Sequence, residues 1–280
     1  MSSTTVEVVL MWTAVSLYAV SAILFAVGLV FGRQRLLDIA LWVAVAGLVP
    51  HAMAMGVRWA RVGHGPYLGF YEVVSSYAFI AVAILVVVVR RYRSLAVAGV
   101  IVVPLAFLML AASMFTSREE LEITASLASW WLAVHVTFAK LSYAAFIASF
   151  ALALVYLIRD RTSTGRFADV LAKLPAQSVV DDLSYRFIAV GFIFLGVMIG
   201  AGAIWANEAW GRYWAWDPIE TWSLIAWVVY AVYLHLRLTM GWRGRKAALV
   251  AVAALPVVVF ALIGVPIVYQ SIHGAYLLGY

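Results

Sequence analysis

Trp210-Gly-Arg-Tyr-Trp-Ala-Trp-Asp-Pro-Ile-Glu-Thr-Trp222, WGRYWAWDPIETW, sets four tryptophans beside one arginine and two carboxylates. Apolar runs flank it, FIAVGFIFLGVMIGAGAIW up to Trp205 and TWSLIAWVVYAVYLHL from Thr221. Each is close to the roughly 20 residues that an α-helix needs to cross a hydrocarbon core. The stretch is therefore a connection between two membrane spans, and the same pattern of apolar runs fills the chain. Eight runs qualify: Val8–Phe31, Leu36–Met55, Val73–Val89, Leu95–Phe115, Trp130–Ile158, Phe187–Trp205, Thr221–Leu238 and Ala247–Tyr269. The third is short and is expected to begin nearer Tyr71, and the fifth is long enough to tilt or protrude.

Composition supports the pattern. Of 280 residues, 66% are hydrophobic and 11% charged, against about a quarter charged in soluble domains. The sequence predicts an all-α polytopic integral membrane protein, a single membrane domain over residues 1–280 with no soluble domain or internal repeat. The formal charge of +6 does not argue for nucleic acid, because the basic residues fall in short clusters between spans. There is no cysteine, so neither a disulfide nor a thiolate can come from this chain. The N-terminal MSSTTVEVVLMW has no basic n-region or small-residue cleavage site, and no removed signal peptide is expected.

Lys and Arg also set the orientation. The first, third, fifth and seventh connections carry fourteen of the nineteen, the clusters around Arg33, Arg90, Arg159–Arg186 and Arg243. The other connections carry Arg58, Arg61, Arg118 and Arg212, and Lys140 lies inside the fifth span. The odd connections are thus cytoplasmic, including the long loop 159–186. Both termini and the tryptophan-rich segment 205–222 fall on the extracytoplasmic side.

That topology sorts the five histidines. His135, near the outer end of the fifth span, and His273, after the eighth, share a face with WGRYWAWDPIETW. Two imidazoles and an aromatic segment on one face suit a flat apolar ligand with axial nitrogen ligands, and haem fits. Indoles also collect at membrane interfaces without any ligand. Beyond such a belt, six of the twelve tryptophans crowd into residues 205–227 and interleave with Asp217, Pro218 and Glu220. Trp210, Gly211, Trp214, Trp216 and Trp222 are candidates to line a porphyrin, and Arg212 to bind a propionate. Asp217 and Glu220 can touch the ligand or, with Pro218, start the seventh helix as N-cap and first-turn acid. His235 lies about 20 Å down that helix. There it is either a site at membrane depth or a side chain reaching for the inner interface beside Arg237. His51 sits about 22 Å from the inner face and His235 about 10 Å, a large offset for two ligands of one iron unless Pro50 kinks its helix or the tilts compensate. His64 is expected at the surface, and Lys140 in the bundle interior.

Trp210-Gly-x-x-Trp214-x-Trp216-Asp217-Pro218-x-Glu220-Thr221-Trp222, followed by Leu234-His235-x-Arg237, resembles the WWD signature of haem-handling membrane proteins. It is most similar to the CcsA (ResC) family of the System II cytochrome c synthase. Trp131-Leu-Ala-Val-His135 and Ser271-Ile-His273-Gly fit that family's two external ligand histidines, and Pro66 to Glu72 resembles a further segment. The resemblance is densest from Trp130 onward. It implies that haem b is held at the outer face of a cytoplasmic or thylakoid membrane by His135 and His273. It implies a second, intramembrane haem ligated by His235 and a CcsB (ResB) subunit. Apocytochrome c would present Cys-x-x-Cys-His, kept reduced by an external thiol reductant, for thioether formation of the haem lyase type. Transport of haem across the membrane is also implied. No catalytic nucleophile is required from this chain. Two rivals predict otherwise: a haem carrier that serves a chaperone and forms no thioether, and a transporter or scaffold without haem.

Overall fold

The computed structural model describes residues 2–116, 127–161 and 174–269. Every regular element among them is helical. Backbone contacts divide the chain into two compact units, Met1–Leu121 with Asp169–Pro175, and Glu122–Ala168 with Ala176–Tyr280.

The first unit holds α1 (Ser3–Val30), α2 (Gln34–Val62), α3 (Gly69–Arg91) and α4 (Gly99–Met114). Helices α1 and α2 run antiparallel because only three residues join them. Ser21 Oγ donates to the Ala40 carbonyl at 2.7 Å, and Tyr18 lies in the space left by the missing side chain of Gly47. Lipid offers these helices no hydrophobic drive to associate, so small residues and short polar contacts hold them. Ala14, Ala40, Ala44 and Ala54 are all buried, whereas Ile23, Val30 and Trp42 face outward, as a hydrocarbon solvent permits.

The second unit holds α5 (Trp130–Arg161), α6 (Gln177–Trp210), α7 (Pro218–Leu238) and α8 (Arg245–Val259). Helices α5 and α6 form a long antiparallel hairpin. Ser142 Oγ donates to the Gly191 carbonyl at 2.9 Å, and Ser149 and Ser184 share a hydrogen bond of 2.8 Å. Phe146 of α5 stacks on Tyr230 of α7 with ring centres 3.6 Å apart.

Among the described residues, seven helices are long and apolar enough to cross a membrane, and Gly99–Met114 is a shorter apolar one. The expected fourth span is thus split: Arg93–Ala98 is a tighter 3₁₀ turn and the α-helix begins only at Gly99. The eighth also changes pitch, widening over Phe260–Gly264 before Val265–Val268. Pro266 has no N–H to return to the preceding turn, which loosens the ladder there. The third helix begins at Gly69, ahead of Tyr71, and the fifth spans 32 residues. The 159–186 loop is helical through Arg161 and again from Gln177.

Candidate functional site

Helix α6 ends where Gly211 adopts the left-handed conformation (φ 72°) and returns its N–H to the Asn207 carbonyl at 2.9 Å. A residue with a side chain is strained in that conformation, whereas glycine is not. Six residues later Asp217 caps α7. Its carboxylate accepts from Ile219 N at 3.0 Å, and Pro218 occupies the first helical position, where a missing N–H leaves no bond unmade. Glu220 completes a capping box. One of its oxygens, Oε2, accepts from Asp217 N at 3.2 Å and also from Ala215 N at 2.9 Å. Thr221 Oγ1 adds a bond to the Trp216 carbonyl at 3.3 Å.

These bonds surround a backbone oddity. Trp216 has φ 58°, the sole positive φ outside glycine among the described residues. Its indole is 68% exposed and Tyr213 is 60% exposed. Trp214 meets Trp216 edge-on at 5.7 Å, and Arg212 is exposed in the same segment. The other indoles are packed. Trp205 is buried and meets Trp210 at 4.9 Å. Trp222 packs on Phe260 at 4.6 Å. Trp227 stacks on Phe192 and donates to its carbonyl at 3.3 Å.

His135 joins this region through α6. Ser129, just before α5, donates to Glu208 at 2.6 Å and so fixes the start of α5 against the end of α6. One turn inward, His135 Nδ1 lies 2.9 Å from the Met198 carbonyl oxygen, and its ring lies 6.2 Å from that of Trp205. Lys140, the next turn along α5, is buried as expected.

His235 lies at the far end of α7, about 26 Å from Pro218 along the axis, and is exposed from this unit. Its neighbour Arg237 is buried and donates to Asp181 at 2.7 Å, while the other oxygen of Asp181 receives Gly244 N at 3.0 Å. His273 lies outside the described residues.

The remaining two histidines belong to the first unit. His51 is fully buried, its Nδ1 3.3 Å from the Tyr18 hydroxyl and its ring against the edge of Phe79 at 5.4 Å. That packing leaves no room for a macrocycle. His64, expected at the surface, is only 4% exposed. It packs against Tyr67 at 5.3 Å, and its Nδ1 donates to the Gly65 carbonyl at 2.8 Å. The reason is the cluster beside it, which the sequence does not announce. Arg58 Nε donates to Glu72 at 2.6 Å, Arg61 pairs with Glu7, and the Tyr71 hydroxyl donates to Glu7 at 2.9 Å. Arg58 and Arg61 are therefore not loop residues. Helix α2 runs to Val62 and folds both guanidiniums toward buried carboxylates.

Residues 16–273 match the family model described as Cytochrome C assembly protein. The chain belongs to that family. Proteins named cytochrome c biogenesis protein CcsA are its relatives. The one from Synechococcus sp. (strain CC9605) is 38% identical over 259 residues, covering 83% of this chain and 84% of that protein. The one from Prochlorococcus marinus (strain MIT 9313) is 36% identical over 296 residues, covering 93% and 92%. The Chlamydomonas reinhardtii relative is 37% identical over 226 residues, covering 78% and 62%. Among solved structures, one titled Cytochrome c Heme Lyase CcmF shares the fold, with a TM-score of 0.69 at 17% identity. It matches all of this chain, which spans about half of its length (49%). Cytochrome c biogenesis is thus the general role of this CcsA-family chain.

The donor set of the second unit fits haem. An imidazole is its usual nitrogen ligand. A proton on Nδ1, required by the bond to a carbonyl, puts the lone pair of His135 on Nε2. The exposed indole of Trp216, with half-buried Trp214 edge-on to it and the exposed Arg212 nearby, suits a flat π-system with anionic propionates.

Proposed function

We propose that the second unit holds haem b as its substrate on the extracytoplasmic face, with His135 and His273 as axial ligands. The Trp214–Trp216 segment, with Trp216 exposed, would pack against the porphyrin, with Trp210, Gly211 and Trp222 framing it and Arg212 pairing with a propionate. Apocytochrome c then brings Cys-x-x-Cys-His to the vinyl groups. Each thiol adds across one vinyl: the sulfur bonds to one carbon, the thiol hydrogen goes to the other, and no external oxidant is needed. A thiol reductant outside the membrane keeps both cysteines reduced, since this chain has none. Its work is to hold vinyl and thiol together in reacting geometry, the main source of acceleration open to a catalyst without a nucleophile.

The observation that carries this proposal is the seat of His135, whose Nδ1 is bonded to the Met198 carbonyl. Metal-ligating histidines characteristically tie their second nitrogen to a carbonyl or carboxylate. His235, exposed on α7, is assigned to a second haem shared with a CcsB (ResB) subunit, and haem movement between the two sites follows from that assignment. Asp217 and Glu220 act here by framing the segment.

The test is spectroscopic. The full chain purified from haem-replete cells should show a low-spin haem spectrum with a component that His135→Gly removes. A colourless protein would overturn the proposal in favour of a transporter or scaffold. Co-expression with the CcsB subunit and a Cys-x-x-Cys-His reporter should yield covalent haem. A haem-loaded chain that leaves the reporter unmodified would instead identify a carrier.

A further inference from the structure

We infer that Gly202, acting with the Met198 carbonyl, is the positioning residue that makes Nε2 the ligating nitrogen of His135. The inference rests on the proposal that His135 binds haem iron. It concerns α6, outside the tryptophan-rich signature.

Residues 198 and 202 are four apart and lie on one face of the helix. A helical side chain covers the turn N-terminal to its own Cα. Any side chain at 202 would therefore lie over the carbonyl of residue 198, and glycine leaves that oxygen open to a donor approaching from the side. His135 fills the opening. A Cβ built on Gly202 would fall 2.5 Å from His135 Nδ1 and 2.9 Å from Cε1, whereas atoms in contact sit about 3.5–4.0 Å apart. The ring or the helix would have to move by about 1 Å to admit one. The bond from Nδ1 to the Met198 carbonyl is 2.9 Å, and such a displacement takes it past the useful range of a hydrogen bond.

Without that bond His135 loses both constraints that make it a ligand of fixed direction. Either nitrogen can then carry the proton, and the ring is free to turn. Gly200 supplies an internal comparison, because a Cβ there meets nothing within 4 Å. Two glycines two positions apart on α6 thus predict opposite outcomes for the same substitution.

The experiment compares Gly202→Ala, Gly200→Ala and His135→Gly in the full chain purified from haem-replete cells. The signal is the component of the reduced low-spin spectrum that His135→Gly removes. Gly202→Ala should lower it at least about tenfold and added imidazole should restore it, while Gly200→Ala leaves it at the wild-type level. If His135→Gly removes nothing, the haem assignment itself is wrong. If His135→Gly removes the component and Gly202→Ala keeps it, Gly202 has no positioning role. If Gly202→Ala does not accumulate, the Gly202→Ala/His135→Gly pair, which deletes the ring in the way, should accumulate. Its failure to do so would overturn the inference.

Discussion

Glu220 offers a sharp test of how the tryptophan-rich segment works. Its Oε2 receives two backbone N–H groups, from Ala215 at 2.9 Å and Asp217 at 3.2 Å, on either side of Trp216 with its φ of 58°. A hydrogen bond to a charged acceptor contributes about 1.5–3 kcal/mol. At this half-buried position the lower end applies, and losing a cap costs about 1 kcal/mol. Glu220→Ala should therefore loosen the segment by about 2–3 kcal/mol. At about 1.4 kcal/mol per factor of ten, exchange of the Ala215 and Asp217 amides would speed up by about 30- to 150-fold. Glu220→Gln keeps a carbonyl oxygen that can accept both bonds and loses only the charge assistance, about half of the strength. Its amides should exchange about 5- to 12-fold faster, and most covalent haem attachment to the reporter should survive. Hydrogen exchange on peptides covering 211–221, run beside the reporter assay, reads both. Should Glu220→Gln abolish attachment while its amides stay protected, the carboxylate takes part in the chemistry and the framing role given to it here is wrong.

Other perturbations probe the two units separately. Removing the guanidinium with Arg58→Ala leaves Glu72 charged and buried without its 2.6 Å partner. Such a deletion costs about 3–5 kcal/mol, and Arg58→Ala/Glu72→Gln should recover much of the loss in detergent unfolding. A loss below about 1 kcal/mol would mean that water reaches the cluster. Burial, and then the nearby Glu72 charge, raise the pKa of Tyr67. The folded state thus holds that proton more tightly than the unfolded chain, so its contribution is complete below about pH 10 and declines as pH rises through the folded value. Tyr67→Phe should flatten that alkaline slope in unfolding midpoints, and an unchanged slope would assign it to another group. Finally, Arg237 holds Asp181 and the Trp242 carbonyl at once and lies over Tyr185 at 5.1 Å. Lysine can keep the ion pair but not the planar stack of the guanidinium on Tyr185. Arg237→Lys should expose residues 239–244 to limited proteolysis, and resistance equal to the wild type would discount the clamp.

What was legible in the sequence was local. Asp217, Pro218 and Glu220 lie within one helical turn, so their capping role follows from spacing alone, and the structure builds that box. Span existence follows from composition for the same reason. Span boundaries do not: the 3₁₀ turn Arg93–Ala98 and the widened turn Phe260–Gly264 ahead of Pro266 interrupt regular α-helix in runs whose hydropathy is unbroken. Contacts between distant positions were illegible. Glu7 meets Arg61 across 54 residues of sequence, and nothing in VGHGPY shows that His64 will be drawn in beside Glu72 rather than left in water. Gly202 is hidden in another way. Helix α6 also contains Gly191, Gly196 and Gly200, and only the neighbour each one faces separates a glycine that admits a histidine from one that meets nothing.

The tryptophans divide along the same line. Trp205 and Trp227 are held by ring contacts and a carbonyl, and Trp222 by Phe260; packing alone accounts for where these three sit. Trp216 differs in both backbone and exposure. A left-handed residue with a side chain costs about 1–2 kcal/mol, and it persists only where surrounding bonds over-determine it. Here the carboxylate of Glu220 and the hydroxyl of Thr221 supply those bonds. An indole that merely rested at a lipid interface would need none of this, because interfacial aromatics sit there on ordinary helix ends. A strained backbone fixed on both sides of an exposed indole holds that ring in one orientation, which is what the proposed contact with a ligand requires. On that ground the segment fits the proposed wall for haem better than it fits a membrane belt.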